Sequence, residues 1–191
     1  MQYPLELRYK TTEKNPQVSV VDATGNLIFI VSHTPSENGS VARVYADEER
    51  SVLRYIISPD WILDFSAQYH FTDQDGHSLG AVRRDGERSL WHTRFKIMNG
   101  GPPDLHIREE NSFTKFMDAI VGEIPLVGAI IPRLVYLVGA EDGSTLVRIE
   151  KQSKLFESRF KIEKQSEIDS SAETRILLSL LILILTEQVT L

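Results

Sequence analysis

Five cations crowd a short stretch of the chain: Arg83, Arg84, Arg88, Arg94 and Lys96. Guanidinium and ammonium groups gathered this closely can hold phosphate head groups through charge-assisted hydrogen bonds. On an extended strand successive side chains point to opposite faces, so Phe95 and Ile97 turn inward and Arg94 and Lys96 outward. Asp85 and Glu87 dilute the set, and an ordinary solvated face is the competing reading. A second basic set, Arg159, Lys161 and Lys164, is expected to face outward elsewhere on the molecule.

Other reactive constellations are thin. Asp73, Asp75 and His77 lie together with His70 nearby and could ligate a metal, but Phe71 stands two residues before Asp73. No bidentate Glu follows at the distance a calcium loop requires, so a hairpin turn is the preferred reading and no metal site is assigned. The five histidines show neither H-x-x-x-H nor H-E-x-x-H spacing, the usual helical zinc arrangements. No serine sits in G-x-S-x-G, and the glycines form no phosphate-cradling loop. Glu48-Glu49 and Glu109-Glu110 are adjacent, which on a strand sends the two carboxylates to opposite faces. Nothing in these patterns calls for an enzyme or a cofactor.

The 191 residues suit one domain spanning 1–191, long enough to bury a sizeable core without covalent staples. The absence of cysteine excludes disulfides, thiolate metal sites and a Cys nucleophile, and is compatible with a reducing, cytoplasmic setting. The opening MQYPLELRYK has no apolar run of the secretory kind. A formal net charge of −6 argues against charge-driven nucleic-acid binding but leaves room for a local basic patch.

Most of the chain alternates at period two, the mark of half-buried strands. Twelve such runs fall between about residues 3 and 164: Tyr3–Lys10, Gln17–Asp22, Asn26–His33, Val41–Ala46, Ser51–Ser58, Trp61–Thr72, His77–Arg84, Ser89–Met98, Asp104–Glu110, Arg133–Val138, Ser144–Lys151 and Lys154–Lys164. Tight-turn residues punctuate them at Asp22-Ala-Thr-Gly25, Asp73-Gln-Asp-Gly76, Asp85-Gly86 and Asp142-Gly143. Ser112–Val121 could form a short helix, and Ile124–Val138, with Pro125 and Pro132, reads as a buried connection rather than a membrane span. Trp61 and Trp91 read as core, with interfacial anchoring the alternative.

The chain also repeats itself. His70–Ile97 and Tyr136–Ile162 align Asp75-Gly76 with Asp142-Gly143, Leu79 with Leu146 and Val82 with Ile149, and both close on Arg-Phe-Lys-Ile. Asp22-Ala-Thr-Gly25 is a weaker echo of the same turn. The unit is a β-meander.

One segment obeys a different rule. Nine of the ten residues from Ile176 to Leu185 are Leu or Ile, and only Ser179 interrupts them. At about 1.5 Å per residue the run reaches about 15 Å, half of a bilayer core. A helix apolar all round must be buried on all sides. The expectation is a mainly β protein: about twelve antiparallel strands closed into a barrel around a central hydrophobic helix at about 172–187.

These residues resemble a family. The pattern D-x-x-G-x-x-L/I-x-x-V, the closing strand Phe156–Ile162 and the apolar C-terminal helix are similar to LURP-one-related proteins, which share a barrel with Tubby C-terminal domains and phospholipid scramblases. The resemblance covers roughly Leu5 to Gln188 and implies a twelve-stranded barrel around a hydrophobic helix. It implies no single activity, since Tubby domains bind phosphoinositides and scramblases move lipids. Scramblase-like proteins carry an acidic calcium segment before the helix, whereas Ser166–Ala172 offers only Glu167 and Asp169. The leading expectation is therefore a non-enzymatic intracellular module that binds an anionic membrane surface or a protein partner, with no nucleic acid and no transmembrane span. A scramblase-like lipid mover and a carrier of small hydrophobic ligands are the alternatives.

Overall fold

The computed structural model describes residues 1–11, 16–34, 41–60, 68–85, 94–110, 134–153 and 157–188. The strands are β1 (Leu5–Thr11), β2 (Pro16–Val21), β3 (Leu27–Thr34), β4 (Val41–Tyr45), β5 (Leu53–Asp60) and β6 (Gln68–Asp73), then β7 (Ser78–Arg84), β8 (Arg94–Met98), β9 (Pro103–Glu109), β10 (Val135–Ala140), β11 (Thr145–Ser153) and β12 (Glu157–Lys164). A single described helix, α1 (Ser170–Gln188), follows them. Each strand pairs antiparallel with its neighbours in sequence, and β1 pairs with β12 to close the barrel. All twelve expected runs overlap a strand, and the parts of them at 61–67, 89–93, 133 and 154–156 lie outside the described residues. Trp61, Trp91, Arg88 and the Ser112–Val121 segment also lie outside them.

The turns explain the register. Gly25, Gly76 and Gly143 each take φ of 86–87°, where a side chain would be strained. In each turn the glycine N–H donates to the carbonyl three residues back, at Asp22, Asp73 and Ala140. A ladder shift accompanies them at Val20/Val21, Phe71/Thr72 and Val138/Gly139. This is the three-residue hairpin loop with a glycine bulge, used three times. The sequence repeat thus becomes a structural one: Val82 lies opposite Ile97 just as Ile149 lies opposite Ile162.

The buried part of the inward face is apolar. Leu5, Leu7, Val18, Val20, Val44, Phe71, Val82, Phe95, Phe160 and Ile162 are all buried in one core with the helix. The outer wall carries Glu6, Arg8, Lys96, Arg148, Lys161 and Glu163, with the polar side facing water. That distribution is the reverse of a transmembrane barrel, whose outward face is the apolar one. Among the described residues no helix is long and apolar enough to cross a membrane.

A twelve-stranded barrel is wider than the eight-stranded kind that side chains alone can fill. Helix α1 occupies the space: Ile176, Leu177, Leu178, Leu180, Leu181, Ile182, Leu183, Ile184 and Leu185 are all buried. Asp169 caps it, its Oδ1 accepting the N–H groups of Ala172 and Ser171 at 3.0 Å each. Those bonds, Ala172's foremost, hold the Asp169 carboxyl below the usual range. Ser179, fully buried, donates its hydroxyl to the Arg175 carbonyl at 2.8 Å, so the one polar interruption is satisfied within the helix. Arg175 is buried as well, donating to Asp104 Oδ2 at 2.9 Å and to Ser171 Oγ at 3.0 Å. The helix runs closest to β7, where Gly80 leaves room for the Arg175 side chain.

Candidate functional site

With its lumen filled, the barrel can act only through its ends and its outer wall. On that wall the antiparallel pairing of β8 with β9 assembles a compact group of cations. Arg94 lies directly opposite Arg108, and Lys96 lies opposite His106. On the other side of Lys96, β7 places Arg83. Directly paired residues stand about 5 Å apart and alternate residues along a strand about 7 Å apart, so these side chains share one small surface. Here the wall is concave, with a groove of about 700 Å³ lined by Asp85, Arg94, Lys96, His106, Arg108 and Glu141.

The electrostatics of the groove are uneven. Lys96 is neutralised by Asp85, 3.2 Å away. Among the described residues no carboxylate pairs with Arg94 or Arg108, although like charges directly opposed across a sheet destabilise it. His106 is half-buried, and its ring lies over Gly139: a methyl group added there would sit 3.2 Å from Nε2. Burial lowers its affinity for a proton, and the Arg108 and Arg94 charges lower it further, against a smaller opposing pull from Glu141.

The barrel supplies its own reference for this arrangement at the seam where β12 meets β1. In this second copy of the repeat, Arg159 on β12 faces Arg8 on β1, as Arg94 faces Arg108. There the two arginines are neutralised: Arg159 donates to Glu157 at 2.8 Å and to Glu6 at 3.2 Å, and Glu6 also accepts from Arg8. The register sets Lys161 opposite Glu6 and Glu150, where the groove sets Lys96 opposite His106 and Arg83. At two matching positions, then, the seam carries Glu6 and Glu150 where the groove carries His106 and Arg83. Lys161 pairs with Glu163, and Lys164 with Glu167 at 3.5 Å. The second basic set faces outward away from the first, with its charge spent on neighbours.

Of the residues singled out from the sequence, Arg83, Arg94 and Lys96 come together on the outer wall. Arg84 does not join them: it is paired with Phe95 and so belongs to the inward-facing register, exposed at the strand end and close enough for its charge to act on Tyr69. Arg88 falls outside the described residues. Arg108 and His106 were not among the expected site residues, and they complete the groove.

The Asp73, Asp75 and His77 group is real as a cluster, with one ligand-type atom from each within 4.8 Å of the others. Asp73 Oδ1 already accepts the N–H groups of Asp75 and His77, and Oδ2 lies 3.0 Å from His77 Nδ1. Asp22 makes the same carboxylate-to-amide bonds in its own turn without a histidine, so the bonding belongs to the turn.

No family model matches the chain, and no curated protein does. The functional reading therefore stands on the geometry above.

Proposed function

We propose that this protein is a non-enzymatic intracellular binding module that docks on an anionic, phosphate-bearing membrane surface through the outer wall at β7, β8 and β9. The observation that carries the reading is the opposed pair Arg94 and Arg108, unneutralised among the described residues of a groove, set against its neutralised counterpart Arg8 and Arg159. A protein of net charge −6 is repelled by anionic surfaces overall, so a local cationic site is needed to hold it there. We further propose that the chain is a LURP-one-related protein, a reading supported by the order of its meander, its repeated Asp-Gly turns and its enclosed terminal helix. Phosphoinositide surfaces suit that relationship. Scrambling does not, since the helix is enclosed and the acidic segment before it is sparse. A ligand carrier would need the lumen that α1 fills.

Flotation with liposomes containing phosphatidylinositol 4-phosphate tests the reading. Co-flotation is expected at low salt and is expected to weaken at physiological ionic strength, where charges are screened beyond about 8 Å. Equal recovery with neutral and anionic liposomes would overturn membrane docking and point to a protein partner instead.

A further inference from the structure

Resting on the anionic-surface reading, we infer that the groove between β8 and β9 is a discrete site for one phosphate monoester dianion, held by Arg94 and Arg108, with His106 taking up a proton as the ligand binds. A diffuse attraction to anionic lipid needs only net positive charge. The groove has more than that. Two arginines on residues about 5 Å apart can each present paired N–H donors to the oxygens of a single phosphoryl group. Lys96, held by Asp85, and Arg83 beyond it border the site without being consumed by it.

His106 sets the site apart from a patch of fixed charge. It stands where the seam has Glu6, directly across from the lysine of the motif. A carboxylate there cancels charge at every pH near neutrality. An imidazole instead holds its proton weakly beside two arginines and more firmly when a dianion faces it. The groups around it among the described residues are few: Lys96 and Arg94 from β8, Arg108 and Asp104 on its own strand, the Gly139 backbone of β10, and Glu141 in the turn before β11. Asp104 is engaged by Arg175 and Asp85 by Lys96, which leaves Glu141 as the carboxylate acting on the imidazole.

The sign follows from linkage. Arg94, Arg108 and burial keep the proton off the free imidazole, whereas a bound dianion favours it, so protonation and binding reinforce one another. Affinity gains from His106 as pH falls through the ligand-bound proton affinity of the imidazole, and the gain levels off below that of the free protein. The ligand's own second ionisation lies near pH 6 and cancels when two variants are compared on the same ligand.

The test measures binding of the full chain to three probes: vesicles of phosphatidylinositol 4-phosphate, vesicles of phosphatidylserine at matched surface charge, and free glycerol 3-phosphate. Wild type is compared with His106→Asn, and with His106→Gln should the first variant fold poorly. The wild-type-to-variant affinity ratio for the monoester ligands is expected to be near one at about pH 8. It is expected to rise steadily as pH falls below about 7 and to approach about tenfold only at pH values below the free imidazole's own proton affinity, the limiting gain when a bound dianion strengthens the imidazole's hold on its proton by the same factor. Phosphatidylserine vesicles are expected to bind more weakly and to show a flat ratio. Equal binding to both lipids, or a flat ratio for the monoesters, overturns the discrete proton-coupled site and leaves the anionic-surface reading standing. A rising ratio with glycerol 3-phosphate but no vesicle binding upholds the site and overturns the membrane reading. Failure to bind any of the three overturns both.

Discussion

Leu181→Asp is expected to leave the chain unfolded at room temperature, and truncation after Ser179 is expected to do the same. Leu181 is fully buried in the middle of α1, inside the core that the barrel wall and the helix share. Removing its side chain from the core costs about 1.5–3 kcal/mol in lost burial. Placing an ionised carboxylate in that apolar surrounding adds a desolvation penalty of several kcal/mol. A domain's net stability is only about 5–15 kcal/mol. Leu181→Met, which nearly conserves volume, is expected to fold with a loss below about 1.5 kcal/mol. Near- and far-ultraviolet circular dichroism of the three proteins checks this. If Leu181→Asp kept the native spectra and merely became more soluble, the helix would not be the core of the barrel.

Gly80→Ala is the second large effect, because a methyl group has nowhere to go. A Cβ at this position would lie 2.2 Å from the Met98 carbonyl oxygen and 2.8 Å from Arg175 Cδ. The backbone φ of +120° adds strain for any residue other than glycine. Together the strain and the overpacking should cost about 3 kcal/mol or more. For a chain of this size that lowers the melting temperature by roughly 10 °C. Gly76→Ala is the control. Its φ is +87° and nothing lies within 4 Å, so only the backbone strain remains, about 1 kcal/mol. Adding Arg175→Ala to Gly80→Ala should not rescue the variant, since the shorter contact is with backbone. Thermal melts in which the two glycine variants behaved alike would contradict the close approach of the β8 backbone and Arg175 at Gly80.

The contrast between these two sites shows what the amino-acid order revealed. Leu181 was legible because nine Leu and Ile residues in ten positions cannot face water from any side of a helix. The strands were legible for the same kind of reason, as period-two alternation broken by Asp-Gly turns. Gly80 was not, because a lone glycine inside a strand reads equally as a bulge, a bend or a close approach. The Met98 carbonyl on the neighbouring strand, with Arg175 far along the chain on α1, decides among them.

The site was half legible. Arg83, Arg94 and Lys96 lie close in sequence, and alternation sends Arg94 and Lys96 outward. Arg108 and His106 belong to the next strand, and the register that pairs them depends on the turn at 99–102 and a ladder irregularity at Ile97/Met98. Arg84 was misleading for a related reason: adjacency in sequence means opposite faces on a strand. The neutralised counterpart was hidden further still, since Glu6 and Arg159 meet only when the first strand closes on the last. Without that closure the two basic sets look equivalent, and with it they do not.

The central claim is that charge position, and not charge number, makes the β8–β9 groove a binding site. Two double variants with the same loss of charge separate these directly: Arg94→Ala/Arg108→Ala in the groove and Arg8→Ala/Arg159→Ala at the seam. Their affinities for vesicles containing phosphatidylinositol 4-phosphate are measured at physiological salt, on proteins shown to be folded. The groove variant is expected to lose at least about tenfold in affinity, the equivalent of about 1.4 kcal/mol, while the seam variant binds as wild type does. Equal losses in the two, or none in the groove variant, would contradict the account.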